Sequence, residues 1–139
     1  MRKTIEFRKL SRIVDANFNR AKEGLRVCED ICRYGFDLKK ETRQLKDIRH
    51  ALTEVIEPLG INGLLEARDV EGDAGRTSTV SEFKRRDLND VFYANAQRVK
   101  ESIRVLEEIF KLIDGKHAQS LKEWRYKFYV VEKQMLARK

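Results

Sequence analysis

The chain has 139 residues, 30 lysines and arginines against 23 acids, and a formal net charge of +7. That length buries one moderate core rather than two. Charged residues make up 38 % of the chain while glycines number seven and prolines one; this is the composition of long surface helices rather than of a sheet protein, and no stretch reaches the roughly 20 apolar residues that span a bilayer.

The opening MRKTIEFRKL has neither the apolar run nor the cleavage site of a secretory leader, so a cytoplasmic location is expected. The first helix is predicted over about residues 10–35. With Val14 as reference and 100° per residue, Ala21, Leu25, Cys28 and Cys32 fall within about 40° of one direction and form a core seam. Ile13, Val27 and Ile31 add a second apolar strip to one side. No CxxC or Cys/His cluster accompanies Cys28 and Cys32, which are therefore expected as buried, reduced thiols. Within this helix NFNRAKEGLRVCED (17–30) is restated as NAQRVKESIRVLEE at 95–108. Asn17, Arg20, Lys22, Glu23, Arg26, Val27 and Glu29 recur as Asn95, Arg98, Lys100, Glu101, Arg104, Val105 and Glu107, an internal duplication.

A second helix follows at about 40–57, after the link GFDLKK, and Glu57-Pro58 ends it. The next segment, about 58–81, carries Gly60, Gly63, Gly72 and Gly75 and has no twin later in the chain. The third helix is predicted at about 82–113, with Asp87, Leu88 and Phe92 in it or in a short turn before it. Phe92, Val99, Ile103, Leu106 and Phe110 take the five seam places of the first. The fourth, at about 117–137, follows DGKHAQ, and its LKEWRYKF echoes LKDIRHAL of the second helix. Its aromatics Trp124, Tyr126, Phe128 and Tyr129 are expected in the core. The predicted architecture is all-α: one domain of residues 1–139, with two duplicated helical hairpins (about 10–57 and 82–137) in pseudo-two-fold relation, joined by the glycine-containing crossover. Two apolar strips on helices one and three exceed the needs of a lone bundle, so a homodimer or higher homo-oligomer is expected.

The repeated Asn, Arg, Glu, Arg and Glu stand three apart and spiral around the helix, which divides their roles. Glu23, Arg26 and Glu29 read mainly as a ladder of paired surface charges, each pair contributing roughly 0.2–0.5 kcal/mol. Asn17 and Arg20 point toward the second strip, where a guanidinium requires an acid or an anion. Asp15 is the candidate acid and phosphate the candidate anion. Gly24 interrupts the helix at about 1 kcal/mol relative to alanine, making room for a ligand or for a neighbouring helix. In the crossover, ARDVEGDAGR sets Arg68, Asp69, Glu71, Asp73 and Arg76 around Gly72 and Gly75. Glycine amides and arginines suit phosphate, and carboxylates suit Mg²⁺, although a plain polar turn shares this composition. No P-loop, dinucleotide fingerprint or kinase catalytic loop occurs, and His50 and His117 stand apart from any nucleophile.

RIVDANFNRAKEGLRVCEDICR, ARDVEGDAG, DVFYANAQRVKESIRVLEEIFK and RYKFYVVEK together resemble the small helical hydroxymethylpyrimidine-phosphate kinase domain of thiamine biosynthesis, over about residues 12–133. That domain occurs alone or fused ahead of thiamine-phosphate synthase, and this chain looks like the standalone form. Cys28 stands where an aliphatic is common in the family, and Arg76 follows Gly75 where threonine is usual. The resemblance implies ATP-dependent phosphorylation of hydroxymethylpyrimidine monophosphate to the diphosphate, with ATP and Mg²⁺ as cofactors. It places Arg20, Arg68 and Arg98 on phosphate oxygens and Asp69 and Asp73 on Mg²⁺. Asn17 and Asn95 would bond phosphate or pyrimidine, Gly72 and Gly75 shape the loop, and Glu23, Glu101 and Arg104 stand behind them. The expected partners are these small molecules and not nucleic acid or membrane. The rival readings are a chorismate-mutase-like helical enzyme on an anionic metabolite, a basic nucleic-acid- or protein-binding module, and a dimerisation domain.

Overall fold

A computed structural model describes residues 2–60, 64, 65, 67–74 and 84–138. Four long helices dominate: α1 (Arg2–Asp30), α2 (Lys39–Ile56), α3 (Leu88–Phe110) and α4 (Gly115–Ala137). The all-α prediction holds, with two differences at helix starts. α1 begins eight residues earlier than expected, because RKTIEFRK contains good helix formers and no breaker, although its apolar seam starts only at Val14. α3 begins at Leu88 rather than near residue 82. There Asp87 is extended and its side chain accepts the Asp90 amide at 2.9 Å, while the Asp90 carboxylate accepts the Arg86 amide at 3.1 Å. The Asp87 cap, with Asp90 holding the residue before it, defines the start.

α1 does not stop cleanly. Its last turn, Ile31–Gly35, widens to a π-helical turn, with the Phe36 amide donating to the Ile31 carbonyl at 3.0 Å and Leu38 to Cys32 at 2.8 Å. Asp37 then takes φ 54°, the left-handed conformation, and reverses the chain into α2. In the second copy a short turn at 111–113 leads to Asp114, whose carboxylate caps α4 at the Lys116 amide, 2.9 Å away.

The helices form a ring in which α1 packs on α2 and α3, and α4 packs on α3 and α2. Both predicted seams are wholly buried: Val14, Ala21, Leu25, Cys28 and Cys32 on α1 and its final turn, and Phe92, Val99, Ile103, Leu106 and Phe110 on α3. α1 and α3 run antiparallel, since Gly24 lies against Val99 while the Cys28 thiol donates to the Phe92 carbonyl at 3.6 Å. A Cβ on Gly24 would come within 2.9 Å of Val99 Cγ2 and 3.1 Å of the Asn95 carbonyl, so this glycine admits the neighbouring helix. Phe128 is buried as expected, but Tyr126 is 53 % exposed and Tyr129 is also exposed. The aromatics of α4 are thus not a core cluster: Tyr126 and Tyr129 meet edge to face and lie over the Arg125 guanidinium.

Each hairpin is closed by a buried ion pair at the same place in the repeat. Glu29 accepts from Arg49 at 2.9 and 3.4 Å. Glu107 accepts from Arg125 Nε and, at 3.0 Å, from its Nη2, and Tyr129 accepts a further Arg125 N–H at 2.7 Å. The Arg125 guanidinium is held above its ordinary pKa chiefly by the Glu107 hydrogen bonds. Glu29, read above as a rung of a surface ladder, and its counterpart Glu107 are therefore interhelical clamps, because the matching arginines sit on α2 and α4.

Glu107→Ala should destabilise the fold by about 3–5 kcal/mol in urea unfolding, since it strands the Arg125 cation in the interior. The paired replacement Glu107→Leu/Arg125→Met should recover most of that loss. Burial pushes both thiols up, Cys32 to about 11. A thiol reagent at pH 8 should therefore modify neither cysteine faster than global unfolding allows; labelling within the mixing time would contradict the packing.

Candidate functional site

The direction of α1 and α3 determines where the crossover must go. α1 pairs antiparallel with α2 through Glu29–Arg49 and through Lys22, whose ammonium donates to Thr53 Oγ1 at 2.8 Å. Since α3 also runs opposite to α1, α2 and α3 run the same way, and the link between them must return along the bundle. On that return Arg68 meets Asp15 in the middle of α1, with two parallel hydrogen bonds of 2.7 Å. Asp15 is 5 % exposed and also accepts from Asn19 Nδ2 at 3.1 Å. Its bond, and then the charges of Asp15 and Glu23, hold Arg68 above the ordinary guanidinium pKa. Asp15, the acid considered above for Arg20, is thus taken by Arg68. Among the described residues Arg68 Nη1 has no partner.

This anchor forms one wall of a cleft of about 770 Å³ between α1 and the crossover. Asn17 lies at its base, 5 % exposed; its Nδ2 donates to the Ile13 carbonyl at 2.9 Å, and its Oδ1 accepts weakly from Arg20 at 3.4 Å. Arg20, Glu23, Asp69 and Asp73 line the same cleft. Lys9 and Arg12 line it as well and make no ion pair among the described residues. On the crossover the Gly72 amide donates to Asp69 Oδ1 at 2.8 Å, and a Cβ at Gly72 would collide with that carboxylate. Gly75 and Arg76, also singled out in the sequence, lie outside the described residues.

Six of the expected site residues therefore meet in one place: Asn17, Arg20, Glu23, Arg68, Asp69 and Asp73. The second-copy residues do not line this cleft. Asn95 repeats the Asn17 geometry, donating to the Val91 carbonyl at 2.8 Å. Arg98 and Glu101 are exposed on α3, and Arg104 is paired with Glu108 at 3.1 Å. Lys9 falls outside the helix predicted from residue 10, and Arg12 lies inside it but outside the duplicated stretch from which the candidates were drawn. Their signal is present in the spacing: positions 9, 12, 16, 20 and 23 follow the three-and-four rhythm of one helical face. Ile13, assigned to an apolar strip, is 38 % exposed and lines the cleft.

Two carboxylates from one turn, beside several cations, fit a magnesium ion carried mainly by phosphate oxygens and water. They do not fit a cage built by protein alone, since among the described residues no three His, Cys, Asp or Glu side chains cluster as a metal site. Among those residues, too, no helix is long and apolar enough to cross a membrane.

Fold and cleft define a small, internally duplicated all-helical protein that gathers arginine, lysine, asparagine and carboxylate groups around an opening sized for a small anionic ligand. The chain belongs to the ThiD2 family, whose model matches residues 12–134. It is 38 % identical over 131 residues to a thiamine-phosphate synthase of Synechocystis sp., covering 94 % of this chain and 37 % of the relative. It is 38 % identical over 126 residues to the thiamine-phosphate synthase of Nostoc punctiforme (90 % and 35 %) and 39 % identical over 128 residues to that of Thermosynechococcus vestitus (91 % and 35 %). The chain thus spans about a third of the length of these relatives. No solved structure matches it.

Arg68→Ala should release the crossover from α1, so that proteolysis within 64–74 accelerates severalfold while helicity persists. Arg68→Lys should restore only part of the protection, because an ammonium cannot make the two-pronged bond to Asp15.

Proposed function

We propose that this chain transfers the γ-phosphoryl group of ATP to hydroxymethylpyrimidine monophosphate, forming the diphosphate and ADP in thiamine biosynthesis. The observation that carries the reading is the juxtaposition of Lys9, Arg12 and Arg20 with buried Asn17 and with Asp69 and Asp73 in one cleft. Membership of the ThiD2 family, and relatives named thiamine-phosphate synthases, support the pathway.

The chemistry asks little of the protein beyond position and charge. The acceptor phosphate is already ionised near neutral pH, so its oxygen can attack the γ-phosphorus without a strong base while the bond to the β–γ bridging oxygen breaks. Arg20, Arg12 and Lys9 neutralise the phosphates as they approach, and Arg68 keeps one edge free toward them while Asp15 holds the other. Asn17 accepts from the amino group of the pyrimidine through its Oδ1, and Glu23 closes the wall near Arg68. Asp69 and Asp73 would hold Mg²⁺, which supplies charge neutralisation between the phosphates of ATP. Arg98, Asn95, Glu101 and Arg104 act from α3, through a neighbouring subunit or through a second substrate, and Gly72 and Gly75 shape the crossover. The proposed setting is a cytoplasmic homo-oligomer acting on small molecules, not on nucleic acid or membrane.

Purified protein with ATP, Mg²⁺ and hydroxymethylpyrimidine monophosphate should yield ADP and the diphosphate. Arg20→Ala should lower turnover by about 10²-fold or more without loss of helicity, because among the described residues Arg20 makes one weak side-chain bond, to Asn17. No ADP release, or activity on an anionic metabolite without nucleotide and metal, would favour the chorismate-mutase-like alternative.

A further inference from the structure

A second cleft, of about 570 Å³, lies between the C-terminal end of α1 and the first half of α2. We propose that it binds a compact polyphosphate, the linear phosphate chain of a nucleotide-like small molecule. The proposal goes beyond the phosphoryl-transfer reading, since it stands on charge placement alone and holds whatever reaction the first cleft serves.

The floor is the Glu29–Arg49 ion pair, whose charges cancel. Around it stand Arg26, Arg33, Lys39, Arg43 and Lys46, with Asp37 as the other acid of the wall. Arg26 reaches Glu29 only at 3.3 Å and keeps 54 % of its side chain exposed. Arg33 lies over the Tyr34 ring, 4.9 Å from its centre. Among the described residues Lys39, Arg43 and Lys46 form no ion pair. Like charges converging on a concavity raise the local potential and repel one another, and an anion relieves both effects.

The duplication supplies an internal comparison. Arg26 and Arg33 correspond to Arg104 and Lys111, and there Glu108 takes both, at 3.1 and 2.8 Å. The first-copy counterpart of Glu108 is Asp30, which makes no ion pair among the described residues. Lys39 and Arg43 correspond to Gly115 and Gln119, whereas Lys46 is matched by Lys122, likewise without an ion pair among the described residues. A purely structural cation ladder would be neutralised in both copies. In the second copy Glu108 neutralises the counterparts of Arg26 and Arg33, and the counterparts of Lys39 and Arg43 are uncharged, so the excess charge at Arg33, Lys39 and Arg43 belongs to the first cleft wall and not to the repeat.

The occupant is small rather than a nucleic-acid strand, because the basic side chains converge on a concavity closed at one end by the Asp37–Leu38 reversal instead of following a ridge. Recognition rests on charge: the one hydroxyl of the wall, Thr42, is spent on the Leu38 carbonyl at 2.7 Å. Affinity should therefore rise with phosphate number and depend little on a base.

The test is calorimetric titration of the full chain with inorganic tripolyphosphate, pyrophosphate and phosphate. It is made first in the Lys9→Gln/Arg12→Gln/Arg20→Gln background, which strips the crossover cleft of the cations that no acid of the fold holds. Tripolyphosphate should still bind there, more tightly than pyrophosphate, and adding Arg43→Gln/Lys46→Gln should weaken it at least about tenfold with an unchanged melting temperature. Arg43→Gln reproduces the residue of the second copy, which the fold already tolerates. Three results overturn the proposal: no tripolyphosphate binding in that background, binding indifferent to Arg43→Gln/Lys46→Gln, or tighter binding of a short single-stranded RNA than of tripolyphosphate.

Discussion

Because Gly24 has no side chain, α1 and α3 approach until Val99 and the Asn95 carbonyl occupy the space a Cβ would need. Their two seams, written with nearly the same rhythm, close against each other with no exposed residue among the ten. Everything else in the molecule is arranged around this antiparallel contact. It makes α2 and α3 run in the same direction, which a short turn cannot connect. The long crossover is the geometric consequence, and its passage along α1 is what carries Arg68 to Asp15.

Charge is distributed in two ways on this frame. Where a carboxylate is buried, it is paired with a guanidinium through two hydrogen bonds: Glu29 with Arg49, Glu107 with Arg125, and Asp15 with the more exposed Arg68. Removing one partner of the buried Glu29–Arg49 or Glu107–Arg125 pair costs far more than the pair contributes, so these four residues are constrained by the fold. Elsewhere the cations are left over. Lys9 and Arg12 beside the crossover, and Lys39, Arg43 and Lys46 on the opposite stretch of hairpin one, have no acid among the described residues. The net positive charge of the chain is therefore not spread evenly over its surface; part of it is collected in two concavities flanking α1.

The spiral of Asn17, Arg20, Glu23, Arg26 and Glu29 shows what three-residue spacing does on a real helix. The first three line the crossover cleft, while Arg26 and Glu29 line the other, one turn further along. The separation of Asn17 and Arg20 from Arg26 and Glu29 was legible in the sequence, whereas Glu23, grouped there with the ladder, lines the crossover cleft. What Glu29 does was not legible: as one rung of an i, i+3 ladder it looks like a surface charge, and only the position of Arg49 on the adjoining helix turns it into a buried clamp. Tyr126 and Tyr129 mislead in the opposite sense, since aromatic residues on an amphipathic helix suggest core, whereas here they cover Arg125 from the outer side.

By itself the sequence determined the helical class, the duplication and both buried seams, because each of these follows from spacing along one helix or from an internal copy. Only the tertiary structure decided which charges are spent and which are free. An ion pair between Asp15 and Arg68, 53 positions apart, has no local signature. It exists because helix direction forces a loop back across the middle of α1, and direction is a property of how the seams meet rather than of either seam alone.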